Sequence, residues 1–375
     1  MKLLNKILYA VPVCVMAFSV SCTKVEKIEI DHNGGYNTMF NEESEAYYKS
    51  LREFKDEIWN YGRPVSFGWF SDWAPSGAAR KGYLSAVPDS MDIISMWSGA
   101  PSRSEITPEQ KRDKEFVQKV KGIKLLEVSL LSHLGKGRTP ESVYEPVYKQ
   151  AEEEGWLNNQ SRLETAKKYA RWDFWGFTSH DLNNTEELKE AHARFAKALC
   201  DSLYTSEWDG FDIDWEPGMG FNDSDGTLAG NAKQNELIVF LVKEMGKYIG
   251  PMSDPENKGH KLLCIDGIMS TFQEQCPEYI DYFIEQSYGG TRQITFKQPE
   301  KVILCENFEQ YAVHGGAILG HARYMPKSGY KGGFGAYRFT KDYDNTPDYK
   351  WMRKGIQENL RVFYEWKEAQ SGSEE

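Results

Sequence analysis

The chain has 375 residues, 40% hydrophobic, 27% charged and 14% aromatic, which is the composition of a globular protein and not of a disordered or fibrous one. Its 45 basic residues against 56 acidic ones give a net charge of −11, which leaves no continuous basic field for a phosphate backbone and argues against nucleic acid as a partner. The 11 Trp, 21 Tyr and 19 Phe exceed what a core of this size requires. Flat rings suit the C–H faces of sugars, although burial is the default for any one of them.

In chain order, Lys2 and Lys6 precede an apolar run from Ile7 to Val20, followed by Ser21 and Cys22. A charged start, a short apolar segment and a small-residue end make an export signal over residues 1–21, too short to span a bilayer as a mature helix. The segment resembles a bacterial lipoprotein signal, which implies that Cys22 becomes the lipidated first residue and anchors the protein to a membrane outside the cytoplasm, with the outer membrane or the cell surface as the expected place. Residues 22–41 are polar and read as a tether. The remaining Cys200, Cys264, Cys276 and Cys305 show no CxxC or Cys/His metal spacing. Cys264 and Cys305 lie in apolar runs and are expected in the core.

After an amphipathic helix over 42–60, eight short β-branched or aromatic runs recur at 65–70, 91–97, 124–131, 210–216, 261–268, 281–288, 301–308 and 332–339. Helical stretches at 109–121, 188–204, 231–249, 315–326 and 349–366 alternate with them. Eight such units predict an α/β fold, a (β/α)8 TIM barrel over residues 42–369, followed by a polar tail at 370–375. Most of the surplus length falls in an excursion at 135–184 after the third strand. Its Trp156, Trp172, Trp175 and Phe177 either wall a subsite or pack the excursion onto the barrel.

The most informative segment is Asp209-Gly210-Phe211-Asp212-Ile213-Asp214-Trp215-Glu216. With a strand period of two, Asp212, Asp214 and Glu216 share one face, and Phe211, Ile213 and Trp215 the other. Turning the apolar face to the helices puts three carboxyls in a column inside the barrel, where they cannot all ionise at neutral pH. A held proton beside an exchanging carboxylate is what protonation of a leaving oxygen requires. Paired acids also suit a divalent metal, but no further ligand cluster accompanies them, and no metal or other cofactor is expected. Dinucleotide-binding GxGxxG, P-loop and HExxH patterns are absent.

This segment matches the D-x-x-D-x-D-x-E signature of family 18 glycoside hydrolases at every fixed position, on the fourth strand. The resemblance, extending over about residues 60–345, implies substrate-assisted hydrolysis. Glu216 is similar to the family's general acid/base, Asp214 to the carboxylate that orients the substrate N-acetyl group, and Asp212 to the partner sharing its proton. Asp209 would be structural. Tyr288, in Gln286-Ser287-Tyr288, resembles the residue that contacts the acetamide oxygen. The Gln-x-Tyr form, with Gln286 as a substrate contact, resembles the endo-β-N-acetylglucosaminidase branch, which cuts the chitobiose core of N-glycans. Tyr337, where chitinases carry a Trp, either floors the sugar site or packs.

Trp69, Asp72, Trp73, Trp97, Asp266, Glu306 and Asn307 fall near the same barrel face as further sugar contacts, with packing or ion pairing as the alternative. Of these, Trp69, Trp97, Asp266 and Asn307 are the expected substrate-binding positions. His133 departs from the family's third-strand pattern and is given no role. The expected activity is endo-β-N-acetylglucosaminidase on an N-glycan or other GlcNAc-containing glycan, by a monomer. A chitinase-like hydrolase and a non-catalytic glycan-binding lipoprotein stay open as alternatives.

Overall fold

The apolar runs become eight parallel strands: β1 (Val65–Phe70), β2 (Ile93–Met96), β3 (Lys124–Leu130), β4 (Gly210–Trp215), β5 (Leu262–Gly267), β6 (Tyr282–Gln286), β7 (Val302–Asn307) and β8 (Gly333–Tyr337). They close into a barrel in sequence order, with β8 against β1 in the register Val65↔Gly333 to Gly68↔Ala336. The fold is the (β/α)8 barrel that the alternation predicts. It is seen in a computed structural model that describes residues 43–76, 80–97, 106–218, 225–228, 232–253 and 259–371. The export signal, Cys22 and the tether lie outside the described residues. Residues Glu45–Glu375 make one compact unit, and among the described residues no helix is long and apolar enough to cross a membrane.

The helical layer comprises α1 (Glu45–Tyr61), α2 (Pro108–Glu115), α3 (Glu145–Glu153), α4 (Gln160–Trp175), α5 (Thr185–Thr205), α6 (Ala232–Met245), α7 (Ser270–Gln275), α8 (Phe308–Tyr311), α9 (Ile318–Arg323) and α10 (Lys350–Ser371). Local chemistry sets several of the ends. Thr107 caps α2 with Gln110 closing the box, and Gly176 in the left-handed region stops α4. The helix expected over 315–326 is only the short α9, because Gly315 and Gly316 both take positive φ and break the turn before it. The last helix runs to Ser371, two residues into the segment read as a polar tail.

Side chains alternate along the strands as the pleat requires. Phe211, Ile213 and Trp215 of β4 join the large cluster between barrel and helices, and Trp215 meets Phe272 of α7 edge-on with ring centroids 6.0 Å apart. A second cluster fills the interior, with Phe67, Trp69, Ile93, Val128, Cys264, Ile284 and Cys305 among its members. The four described cysteines are free and buried, as small apolar groups are.

The strand starts are pinned by a repeated device. Asp92, Asp209 and Asp281 each stand just ahead of an even-numbered strand and accept the backbone N–H of the second residue of the strand before it. Those donors are Ser66 at 2.8 Å, Leu125 at 2.9 Å and Leu263 at 2.8 Å. Asp209 is therefore the structural residue that its opposite parity implies.

The excursion after β3 carries α3 and α4. Trp172, Trp175 and Phe177 are buried in the main cluster, with Trp175 against Phe195 of α5 at 5.3 Å. Trp156 closes a small core with Ala151 and Leu163. Of the two readings of these rings, packing is the one the structure bears out. A subsite wall needs open ring faces, and these are covered.

Candidate active site

At the C-terminal end of β4 to β6 the barrel interior turns from apolar to acidic. Asp212 is fully buried, and its Oδ2 accepts hydrogen bonds from Trp69 Nε1 of β1 at 3.0 Å and Ser95 Oγ of β2 at 2.7 Å. Asp214, one pleat higher, stands in register with Asp266 of β5. Written as carboxylates, Asp212 Oδ1, Asp214 Oδ1 and Asp266 Oδ2 meet no hydrogen-bond donor among the described residues. Orphaned carboxylate oxygens packed this close call for a proton.

The electrostatics agree. Burial pushes Asp212 up to about 6, against the hydrogen bonds from Ser95, Trp69 and Asp266. Burial, then the charges of Glu216 and Asp212, push Asp214 up to about 8. Burial, then Asp212 and Asp214, hold Asp266 well above the ordinary carboxylate range. The column therefore retains protons at neutral pH.

Glu216 follows the strand at the mouth of the column. Gln286, at the end of β6, gives one amide nitrogen to two acids: Nε2 lies 2.9 Å from Asp266 Oδ1 and 3.2 Å from Glu216 Oε1. Gly267 allows the close approach of β5 to this corner. At its φ of 85° a side chain is strained, and a Cβ would stand 2.4 Å from Trp215 O and 3.0 Å from Glu216 Cγ.

Aromatic rings complete the surroundings. Tyr337 of β8 lies 5.2 Å from Trp97, 6.2 Å from Trp69 and 6.3 Å from Tyr288, centroid to centroid. Trp97 is 37% exposed. Burial raises the Tyr288 phenol far above its ordinary value, so its hydroxyl stays a donor. The turn carrying Tyr288 is clamped by Glu306, which accepts from Gly289 N at 2.8 Å, Asn307 N at 2.7 Å and Ala317 N at 2.5 Å.

Residues 23–173 match the family model described as glycoside hydrolase family 18, BT1044-like, and residues 175–313 match that of the endo-β-N-acetylglucosaminidase EndoS TIM-barrel domain. Among solved structures, the chain is similar to BT1044, with 27% identity and a TM-score of 0.60 over 85% of this chain and 93% of that one. Over residues 23–173 the chain thus matches glycoside hydrolase family 18, the family whose signature its fourth strand carries. It also shares its fold with the endo-β-N-acetylglucosaminidase of Cordyceps militaris, at 18% identity and a TM-score of 0.53, covering 85% of this chain and 97% of that one. No curated protein sequence matches the chain.

Against the family 18 expectations, the structure brings Glu216, Asp214, Asp212, Gln286, Tyr288 and Tyr337 to one end of the barrel. Trp69 and Asp266, expected as sugar contacts, are each 1% exposed. Inward-facing strand positions bury them beside Asp212, and their polar atoms serve the carboxyl column. Asn307 spends its side-chain oxygen on capping α8, accepting from Glu309 N at 2.9 Å. Trp73 is drawn into the helical layer, donating to Asp113 at 2.9 Å and meeting Trp208 edge-on. Asp72 is exposed and pairs with Arg338 at 3.5 Å.

One functional group, Ser95, is absent from the sequence-based set, and Asp266 is in it under another role. Ser95 could have been found as the polar residue on the inward parity of β2. The contact of Asp266 with Asp212 had no signal in the sequence, which pairs Asp212 only with Asp214.

Proposed function

We propose that this family 18 protein is a retaining, substrate-assisted endo-β-N-acetylglucosaminidase, acting as a monomer on GlcNAcβ1-4GlcNAc in the chitobiose core of N-glycans. The observation that carries this reading is the buried acid column, which retains protons at neutral pH and ends at Glu216, with the hydroxyl of Tyr288 and the ring of Tyr337 beside it. Glu216 protonates the glycosidic oxygen as the acetamide carbonyl oxygen of the −1 sugar attacks the anomeric carbon. The C–O bond to the leaving sugar breaks and an oxazolinium forms. Asp214 takes the hydrogen bond of the acetamide N–H, which strengthens as the nitrogen becomes cationic, and Asp212 exchanges the column's proton. The Tyr288 hydroxyl steadies the acetamide oxygen while charge develops there. Water then opens the ring, giving its proton to Glu216, so the configuration is retained.

The N-glycan core is favoured over chitin by the Gln286-Ser287-Tyr288 sequence and by the relatives matched. The Cordyceps militaris enzyme has been solved with fucosyl-N-acetylglucosamine-Asn bound. Residues 1–22 are proposed to carry the protein out of the cytoplasm and anchor it through lipid on Cys22.

The test is incubation of signal-free protein with an N-glycosylated glycoprotein and, in parallel, a chitin oligomer, with products read by mass. One GlcNAc left on Asn and one on the released glycan is the expected result. Cleavage of the chitin oligomer alone would make the protein a chitinase, and intact substrates in both tubes would favour a glycan-binding protein.

A further inference from the structure

The family signature accounts for three carboxyls of the column, yet the structure places a fourth, Asp266, among them. It comes from β5, in register with Asp214, and is 1% exposed. One of its oxygens holds Gln286 Nε2 at 2.9 Å while the same nitrogen reaches Glu216 Oε1 at 3.2 Å. Its other oxygen and Asp212 Oδ1 both lack a donor as long as neither acid carries a proton. We propose that Asp266 is a positioning residue of the reaction, acting on Glu216 through the Gln286 amide and on Asp212 through a shared proton. This rests on the hydrolase reading above.

An amide of glutamine can turn over, exchanging donor for acceptor. In the orientation seen, both acids accept from Nε2, and a turned amide would aim its carbonyl at Glu216 and repel the carboxylate state. Asp266 removes that freedom. It also supplies what the column needs below: with the proton on Asp266 Oδ2, the hydrogen bond runs to Asp212, whose Oδ2 already takes Trp69 and Ser95. The ionisable groups around Asp266 are Asp212, Asp214 and Glu216 from the β4 side, Tyr288 from the turn after β6, Cys264 on its own strand and Cys305 on β7. Burial and these acids all favour its neutral form.

The test compares Asp266→Ala with Asp266→Asn on whichever substrate the wild type turns over. The alanine variant frees Gln286, and kcat should fall roughly 10- to 100-fold, the scale of a misplaced catalytic group, with KM little changed. Asparagine keeps an acceptor for Gln286 and a donor for Asp212, and should recover most of that loss. Because the position is neutral in both, the basic limb of the kcat/KM profile in Asp266→Asn should stay where it is in the wild type. An ionised Asp266 would have been raising its neighbours, and its removal would move that limb to lower pH. Infrared difference spectra at neutral pH should show a protonated-carboxyl band in the wild type that Asp266→Asn loses.

Wild-type kcat in Asp266→Ala, an asparagine variant as impaired as the alanine one, a limb moved to lower pH, or an unchanged carboxyl band would each overturn the proposal. A purely structural role would lower the melting temperature of Asp266→Ala without the change in kcat or its recovery by asparagine. Should the wild type turn over no substrate, the hydrolase reading falls, while the infrared band still decides whether Asp266 holds the proton.

Discussion

The two ends of the barrel bury acids in opposite ways. At the N-terminal end, Asp92 has Arg63 at 2.8 Å, Ser66 N at 2.8 Å, Ser66 Oγ at 2.9 Å and Lys55 at 3.8 Å. Burial pushes its carboxyl up, but Arg63 and Lys55 pull it below its ordinary value, so it is ionised and fully partnered. At the C-terminal end, Asp212, Asp214 and Asp266 have no cation among their leading influences, and all three are pushed up. The same interior thus holds one acid that stabilises the fold and a group of acids whose charge the fold opposes. Reactivity needs the second kind, since an acid already paired with a cation has no proton to exchange.

The largest expected effect breaks the reactive end. Glu216→Gln keeps the shape and the contact with Gln286 but has no proton to give. Turnover should fall by about 10³-fold or more while glycan affinity persists. Turnover near wild type would remove Glu216 from the acid's place. The mirror experiment breaks the stable end. Arg63→Met leaves Asp92 buried with only Lys55 for charge, and unfolding in urea should show a loss of about 3–5 kcal/mol. The folded fraction should turn over substrate as the wild type does, because this end touches no sugar.

A third experiment uses pH to read the two ends against each other. Asp92 has a depressed value, so its contribution is full above about pH 4 and disappears as pH falls through its folded value. Asp212 and Asp214 are raised to about 6 and about 8, so their contribution is full below about pH 4, where the unfolded carboxyls are still protonated, and is lost as pH rises from there through those values. Asp214→Asn removes the larger of these two losses. Its melting temperature should gain more on the wild type at pH 8 than at pH 5, the difference corresponding to about 1–3 kcal/mol. Its oxazoline formation should slow at the same time. Equal changes at both pH values would show that Asp214 is not held protonated.

Which parts of this contrast could be read in advance follows from how far apart in sequence its members lie. The eight strands are legible because each is a short apolar run ended by Gly, Asp or an aromatic, and Asp212, Asp214 and Glu216 are legible because a period of two aligns them on one strand. The supports of Asp212 are not. Trp69, Ser95 and Asp266 come from β1, β2 and β5, and only closure of the barrel with its register brings them to β4. Trp69 therefore reads as a sugar platform until its Nε1 is found on Asp212. The excursion's rings were undecided for a related reason: composition cannot say which face of α4 is covered, and burial against α5 decides it.

The smallest effect concerns those supports. Trp69→Phe and Ser95→Ala each remove one donor from Asp212 Oδ2 and leave the other. Both donors favour the ionised form, so the loss of either should raise the proton affinity of Asp212 further, and it would then hold the column's proton and give it back less readily. With one neutral donor to a charged acceptor removed, the effect on kcat/KM should be about 10-fold, on the scale of ~1.5 kcal/mol. The two variants should differ in stability. Trp69→Phe also loses the edge contacts with Phe67 at 4.8 Å and Tyr337 at 6.2 Å, whereas Ser95→Ala removes only a hydroxyl. If the contrast between the two ends is right, the double variant should be worse than the sum of its parts, since Oδ2 would then be as orphaned as Oδ1. Simple additivity of the two would mean that Asp212 is neutral throughout and that the proton exchange rests on Asp214 alone.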